Sequence, residues 1–391
     1  MNWSVQQRKA IDAAAKWYRG KTSQVFKLFG YAGTGKTTIA RHIADSLGVN
    51  TVFGAYTGKA AHVLRQKGCR NASTIHKLIY VPKSASKGYV DALRMRLEKT
   101  EDPDEIKKIN LELERCKKPG FKLNHMGLWG VDLIIIDECS MLDKQIGEDL
   151  LSFNKPILVL GDPAQLPPIK GHGFFDGNPD IQLTDIHRQA ADNPIIHMAT
   201  KVRNGEQLRT GNYGESTVIN CRPAPEVVMC YNQILTGKNQ TRKSCNKRVR
   251  SLLGIEDVMP VENDRLVCLR NDHEIGILNG QQWTVKEIHD IDENNFGQPE
   301  GIFMTVESPE ELLCVDAHTH YFQGREDELA WWDKKERQEF DYGYALTCHK
   351  AQGSQWDDVL IFDESHIFRK DARRWMYTAL TRAANKVMVV L

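Results

Sequence analysis

The sequence of 391 residues has no run of eighteen apolar residues, so no segment reads as membrane-spanning. Its nine cysteines are odd in number and include no CxxC pair, which argues against a disulfide framework and a zinc ribbon. The densest group of metal-ligand types is Cys314, His318 and His320 in CVDAHTHY, an alternating stretch that reads as strand rather than as a ligand set. Charge of one sign is also lacking, because 52 Lys and Arg against 51 Asp and Glu leave a net +1. A uniformly basic face is thereby excluded, and any polyanionic partner must sit in a local groove. Internal repeats and low-complexity tracts are absent. The opening MNWSVQQRKAIDAAAKWYRG has no basic-then-apolar leader pattern and reads as helix, so a cytoplasmic location is expected.

What is present is a rhythm of short apolar runs. VFKLFG (25–30), TVFGAY (51–56), VDLIIID (131–137), PILVLGD (156–162), QILTGKN (233–239), DVLIFDE (358–364) and KVMVVL (386–391) read as buried parallel strands. Helical stretches separate many of them: TIARHIADSLG, GKAAHVLRQKG, TRKSCNKRVRSLLG and DARRWMYTALTRAANK. Strand alternating with helix predicts doubly wound α/β layers, and the length suits two or three domains. Two segments break the rhythm. Residues 79–124 hold a charged helical run with a break at Asp102-Pro103 and read as an insertion in the first α/β domain. Residues 261–345 hold short alternating stretches, such as RLVCLRND and QQWTVKEI, and read as a small β domain inserted in the second.

GYAGTGKT (30–37) matches the phosphate-binding pattern G-x-x-x-x-G-K-[ST], with a strand before it and a helix after it. Gly30, Gly33 and Gly35 let backbone N–H groups curl around phosphate oxygens at a helix N-terminus. The expected nucleotide-binding set is Gly33, Thr34, Gly35, Lys36, Thr37 and Thr38, with Lys36 on the β- and γ-phosphates and Thr37 on Mg²⁺. LIIIDECSM ends an apolar run with two acids. We assign Asp137 to the metal and Glu138 to the attacking water. GDPAQLPPI (161–169) follows another apolar run, and its Gln165 offers a polar group beside the γ-phosphate; a plain Pro-rich turn is the alternative.

The series GYAGTGKT, AYTGKAA, STIHKL, LIIIDECSM, GDPAQLPPI, LTDIHRQA, LTCHKAQGSQW and YTALTRA resembles the motifs of superfamily 1 helicases. TGKAA, STIH and HKAQGS point to the RecD-like and Dda-like branch, whose members move 5′ to 3′. The resemblance implies two RecA-like motor domains with ATP and Mg²⁺ in the cleft between them and single-stranded DNA across both. It implies motor segments 1–78 with 125–187 and 188–260 with 346–391. A wedge lies at 79–124, with LIYVPK and GFKLN as its strands, and an SH3-like domain at 261–345. Gln7 sits where the family reads adenine, with Gln6 as the fallback register. Gln355 sits near the ribose, where relatives often carry Glu. Arg188 and Arg382 sit where the family places arginines on the γ-phosphate. Physical chemistry favours such arginines independently, since a finger is worth about 10³–10⁵ in rate.

The same resemblance places Thr57, Lys59, Thr74 and His76 on the DNA track of the first motor domain. Asn239, Thr347, His349, Lys350 and Ser354 fall on the track of the second. Hydroxyls, His and Lys suit phosphate contacts that position a strand without reading it. Asn246, Lys247, Arg248 and Arg250 are weaker candidates. Trp331, Trp332, Tyr321 and Phe322 read as core more readily than as base-stacking groups. The expected partners are single-stranded DNA and its junctions with duplex, with replication or recombination proteins besides, and the chain is expected to act as a monomer. Rival readings are an RNA helicase on the same motor, a DNA-binding factor with a vestigial motor, and a subunit of a helicase–nuclease.

Overall fold

The structure is a computed structural model that describes residues 3–83, 120–167, 173–186, 192–270, 279–293, 297–308, 311–329 and 336–391, with a few short pieces and single positions between these stretches. The first part of the chain contributes β1 (Val25–Gly30), β2 (Thr51–Ala55), β3 (Ala72–Thr74), β4 (Tyr80–Lys83), β5 (Gly120–Leu123), β6 (Leu133–Ile136), β7 (Ile157–Gly161) and β8 (Ile181–Leu183). Six of these form a parallel sheet in the order β3-β2-β6-β7-β1-β8. The α/β class expected from the strand–helix rhythm is what the chain adopts.

The centre of that sheet explains its apolar sequence. All four residues of β6 are fully buried, because both faces are covered. Leu133 and Ile135 pack on one side with Leu28, Leu158 and Leu160. They meet helices α1 (Val5–Gly20) and α2 (Lys36–Leu47) through Ala10, Ala14, Ile39 and Ile43. Ile134 and Ile136 face the other way, with Ile157, Val159, Leu142 and Leu150. Ser4 and Gln7 form a capping box that starts α1, each satisfying the other's backbone N–H. This part also holds α3 (Gly58–Gln66), α4 (Ile75–Ile79) and α5 (Lys144–Ser152). Strands β4 and β5 pair antiparallel outside the sheet, with Tyr80 opposite Leu123. Most residues between them lie outside the described ones.

The rest of the chain supplies β9 (Gly211–Tyr213), β10 (Ser216–Ile219), β11 (Gln233–Thr236), β12 (Arg265–Cys268), β13 (Gln282–Glu293), β14 (Pro299–Glu307), β15 (Leu312–His318), β16 (Phe340–Tyr342), β17 (Ala345–Thr347), β18 (Trp356–Phe362) and β19 (Ala383–Val390). A second sheet runs β17-β11-β18-β19-β10-β9 and is parallel except at the β9–β10 edge. Between β11 and β17 the chain leaves to form an antiparallel sheet, β15-β14-β13-β12-β16. Its first and last strands are neighbours, with Leu266 opposite Tyr342, so the excursion begins and ends at one place. Helices α6 (Pro194–Arg203), α7 (Pro225–Met229), α8 (Asn239–Leu252), α9 (His320–Gln323) and α10 (Ala372–Leu380) pack around these sheets. No described helix is long and apolar enough to cross a membrane.

Three expectations need correction. The helix expected over 371–386 ends at Leu380. Thr381 turns its hydroxyl back onto the Thr378 carbonyl, and from Ala383 the chain pairs with Trp356 as β19. The run 233–239 is strand only to Thr236; α8 begins at Asn239. Asn246 and Arg250 are not surface groups. The Asn246 amide donates to the Tyr342 and Ala345 carbonyls and accepts from Ala345 N–H. Arg250 pairs with buried Asp264 and donates to the carbonyls of Asp257 and Met259. These contacts fasten α8 to the excursion. Tyr321 and Phe322 are buried, on α9 rather than on a strand; Trp331 and Trp332 lie outside the described residues.

Candidate active site

The P-loop follows β1 and opens α2. Gly30 has no room for a side chain, since a Cβ there would meet Thr34 Oγ1 at 2.7 Å and Leu183 Cβ at 2.8 Å. Gly33 and Gly35 have φ of 80° and 83°, the left-handed region open to glycine at little cost. Lys36 Nζ donates to the carbonyls of Gly30 and Tyr31 and lies 3.8 Å from Asp162 Oδ2. Thr37 Oγ1 donates to Asp137 Oδ2 at 3.1 Å. Gln7 is buried against the loop: its Nε2 donates to the Thr34 carbonyl at 3.1 Å and its Oε1 accepts from Ser4 N–H. Gln6 points elsewhere, to Thr184 and Asp185.

Asp137 and Glu138 follow β6, as the apolar run ending in two acids implies. The Asp137 carboxyl is half-buried in the cavity wall. Burial pushes its pKa up, the neighbouring Glu138 charge adds to this, and Lys36 opposes it. Glu138 takes the left-handed conformation at φ 54° and donates its N–H to Asp137 Oδ1. A non-glycine residue held there carries strain, a feature common at functional sites. After β7, Asp162 accepts from Ala164 N–H, and Gln165 follows in the same turn, nearly buried.

The second sheet completes the cavity. Arg382 is 5% exposed yet lines it, with Nε on the Thr378 carbonyl, one terminal nitrogen on the Ser354 carbonyl and the other on Thr381 Oγ1. A space of about 330 Å³ is lined by Gly33, Gly35, Lys36, Thr37, Thr38, Asp137, Glu138 and Gln165 from the first part of the chain. Gly353, Ser354, Gln355, Thr381 and Arg382 line it from the second. Ser354, read from the sequence as a DNA contact, therefore lies in this cavity. Arg188 lies outside the described residues. Contacts that the sequence did not flag bridge the same cleft. Gln352 Nε2 donates to the Leu166 carbonyl, Leu166 N–H donates to Thr378 Oγ1, and the Arg203 guanidinium stacks 3.7 Å from the Tyr31 ring centroid.

The other predicted contacts sit at strand ends and helix starts. Thr57 caps α3 by accepting from Ala60 N–H, and Thr74 caps α4 by accepting from Lys77 N–H. Both hydroxyls thus have a local structural task. Lys59 lies 3.9 Å from the Trp356 ring centroid across the cleft, and burial lowers its pKa to about 8. The His76 ring lies 5.3 Å from the Tyr80 ring. Asn239 is exposed at the first turn of α8. Buried Thr347 accepts from Lys350 N–H. Lys350 is half-buried, and burial with the nearby Arg242 charge lowers its pKa. The half-buried His349 ring lies 5.1 Å from Phe368, and its pKa is also lowered by burial. The structure thus brings most of the expected nucleotide residues to one cavity, leaves Gln7 and Thr34 buried beside it, and spreads the others along the tops of two sheets.

Residues 2–223 match the family model described as an AAA domain, and residues 342–390 match a UvrD-like helicase C-terminal domain. The ATP-dependent RecD2 DNA helicase of Deinococcus radiodurans is 31% identical over 378 residues, covering 92% of this chain. This chain spans 46% of that protein's length. The RecBCD enzyme subunit RecD of Mycobacterium tuberculosis is 23% identical, over 98% of this chain and 68% of its own. Among solved structures, one describing DNA unwinding at forked duplex DNA by two coordinating Pif1 helicases superposes with a TM-score of 0.57. It is 18% identical and covers 99% of this chain and 92% of its own, a likeness of fold. The chain belongs to the AAA-domain family, and its residues 342–390 carry the match to a UvrD-like helicase C-terminal domain.

Proposed function

We propose that this chain is an ATP-driven motor that moves 5′ to 3′ on single-stranded DNA and separates duplex strands at junctions. The observation that carries this is the shared cavity: Lys36, Thr37, Asp137 and Glu138 enter it from one sheet, Gln355 and Arg382 from the other. A nucleotide bound there touches both halves, so its binding and hydrolysis alter how they meet. The names of the RecD2 and Pif1 relatives support DNA as the polymer. The two parallel sheets act as RecA-like motor domains, the β12–β16 excursion as an SH3-like domain, and the β4–β5 ladder as the base of a wedge. The protein acts as a monomer in a cytoplasm, in replication, recombination or repair.

In this mechanism Lys36 leaves the Gly30 and Tyr31 carbonyls to hold the β- and γ-phosphates, while Gln7 and Gln355 orient the base and ribose. Thr37 and Asp137 fit Mg²⁺. A hydroxyl 3.1 Å from a carboxylate, both in the cavity wall, is the hard-oxygen pair that such an ion takes. Bound there, the ion would neutralise charge developing on the phosphate oxygens. Glu138 orients water, Gln165 contacts the γ-phosphate, and Arg382 stabilises the transition state from the opposite half. Thr57, Lys59, Thr74, His76, Asn239, Thr347, His349 and Lys350 grip the DNA backbone.

The test is unwinding of partial duplexes with a 5′ or a 3′ single-stranded tail, given ATP and Mg²⁺, with Lys36→Ala as control. Opening from the 5′ tail alone is expected. Opening from the 3′ tail alone would reverse the polarity, and activity in the control would remove the nucleotide site. Stimulation of hydrolysis by RNA over DNA of one sequence would favour the RNA reading.

A further inference from the structure

Tyr377 lies on α10, five residues before Arg382, with its side chain almost fully buried. Its hydroxyl accepts from the P-loop N–H of Ala32 at 2.8 Å and donates to Asp162 Oδ2 at 2.8 Å. Burial and the Asp162 charge raise its pKa, so the proton stays on and the donation persists. The same Asp162 oxygen is the one near Lys36 Nζ, and the other Asp162 oxygen accepts from Ala164 N–H in the turn that carries Gln165. One hydroxyl from the second half of the chain therefore touches the P-loop and the carboxylate that links Lys36 to the Gln165 turn. The next residue, Thr378, accepts from Leu166 N–H through its hydroxyl and from Arg382 Nε through its carbonyl.

We infer that Tyr377 is a positioning residue for ATP hydrolysis: its hydroxyl holds Asp162 and the P-loop in register with the helix that carries Arg382. P-loop N–H groups are the donors that cradle phosphate, so displacement of the loop by an entering nucleotide reaches the Tyr377 hydroxyl directly. The Asp162 carboxylate is nearly buried and gains from each donor it keeps. Loss of the hydroxyl frees Asp162 to rotate, and the Gln165 turn and Lys36 lose their common reference. The inference rests on the ATPase reading above.

Steady-state hydrolysis at saturating single-stranded DNA tests this in the full chain, with the wild type, Tyr377→Phe, Asp162→Asn and the double variant. Tyr377→Phe keeps the ring, and its kcat is expected to fall about tenfold with KM for ATP within about twofold, the effect of one charge-assisted hydrogen bond. The double variant is expected within about twofold of Asp162→Asn alone, because both substitutions break one contact. A wild-type kcat in Tyr377→Phe, or losses that multiply in the double variant, overturns the inference. If Tyr377→Phe lacks a cooperative thermal transition, Asp162→Asn alone must show the kcat-selective loss, and an unchanged kcat there overturns it equally. A wild type that hydrolyses no ATP with DNA overturns the ATPase reading and this inference together, whereas an active wild type leaves the variants to decide on Tyr377.

Discussion

The Arg382 guanidinium donates to the Ser354 carbonyl at 3.2 Å, which ties the arginine facing the P-loop to the segment after the HKAQG motif. Any shift of that segment on the nucleic-acid side moves the arginine relative to the γ-phosphate. Arg382→Ala should bind ATP within a few-fold of the wild type and hydrolyse it about 10³-fold more slowly. Nucleotide titration beside single-turnover hydrolysis checks this, and loss of binding would remove Arg382 from the finger role. Arg382→Lys should rescue little, because one ammonium cannot reproduce three directed N–H bonds.

Burial, with the neighbouring Glu138 charge, holds the Asp137 carboxyl above the ordinary aspartate range. Its folded pKa is raised, so the folded state binds the proton more tightly than the unfolded chain does. Stability from this group is present below the ordinary aspartate range and is lost as pH rises through the folded pKa. Asp137→Asn keeps both local contacts, because the Thr37 hydroxyl can accept as well as donate. Without Mg²⁺ it should unfold at a higher temperature than the wild type at pH 8, by about 2–4 °C per kcal/mol relieved. The gap should close towards pH 4, while hydrolysis is lost throughout. Thermal unfolding across that range is the measurement, and equal melting at pH 8 would contradict it.

Lys59 has a pKa lowered to about 8 by burial, so it loses charge between pH 7 and 9. At fixed ionic strength, affinity for single-stranded DNA should fall across this interval. Lys59→Met should bind more weakly at pH 7 and show a flatter profile. Fluorescence anisotropy with a labelled oligonucleotide reads both, and identical pH profiles would take Lys59 off the DNA track.

Arg250→Ala removes one partner of a pair whose side chains are 6% and 0% exposed. Leaving Asp264 buried and unpaired should cost about 3–5 kcal/mol. The salt dependence of DNA affinity should stay unchanged in that variant, since Arg250 makes no phosphate contact in this reading. Chemical denaturation and a salt titration separate the two effects.

The nucleotide half of the site was legible because its chemistry is local in sequence. GYAGTGKT contains its own glycines, lysine and hydroxyl, and the adjacent β1 run sets their orientation. The acids after LIII were legible for the same reason: a doubly covered strand must end before a charge can appear. Tyr377 was not legible, because its partners Ala32 and Asp162 are 345 and 215 residues away and its ring looks like helix core. Asn246 and Arg250 misled for a related reason. On a helix rich in Lys and Arg, the face turned to the neighbouring sheet carries the same residue types as the face turned to solvent. The end of α10 was overrun because ALTRAANK suits helix by propensity, and only the pairing of Ala383 with Trp356 makes it strand.

The ladder between Leu266 and Tyr342 brings together the two ends of a long detour. With its doorway closed in this way, the detour is a lobe that rests on the second sheet through one shared core. Residues can be added or deleted at its far side without changing the spacing between β11 and β17. The contacts of Asn246, Arg250 and Asp264 at its base are what hold that spacing.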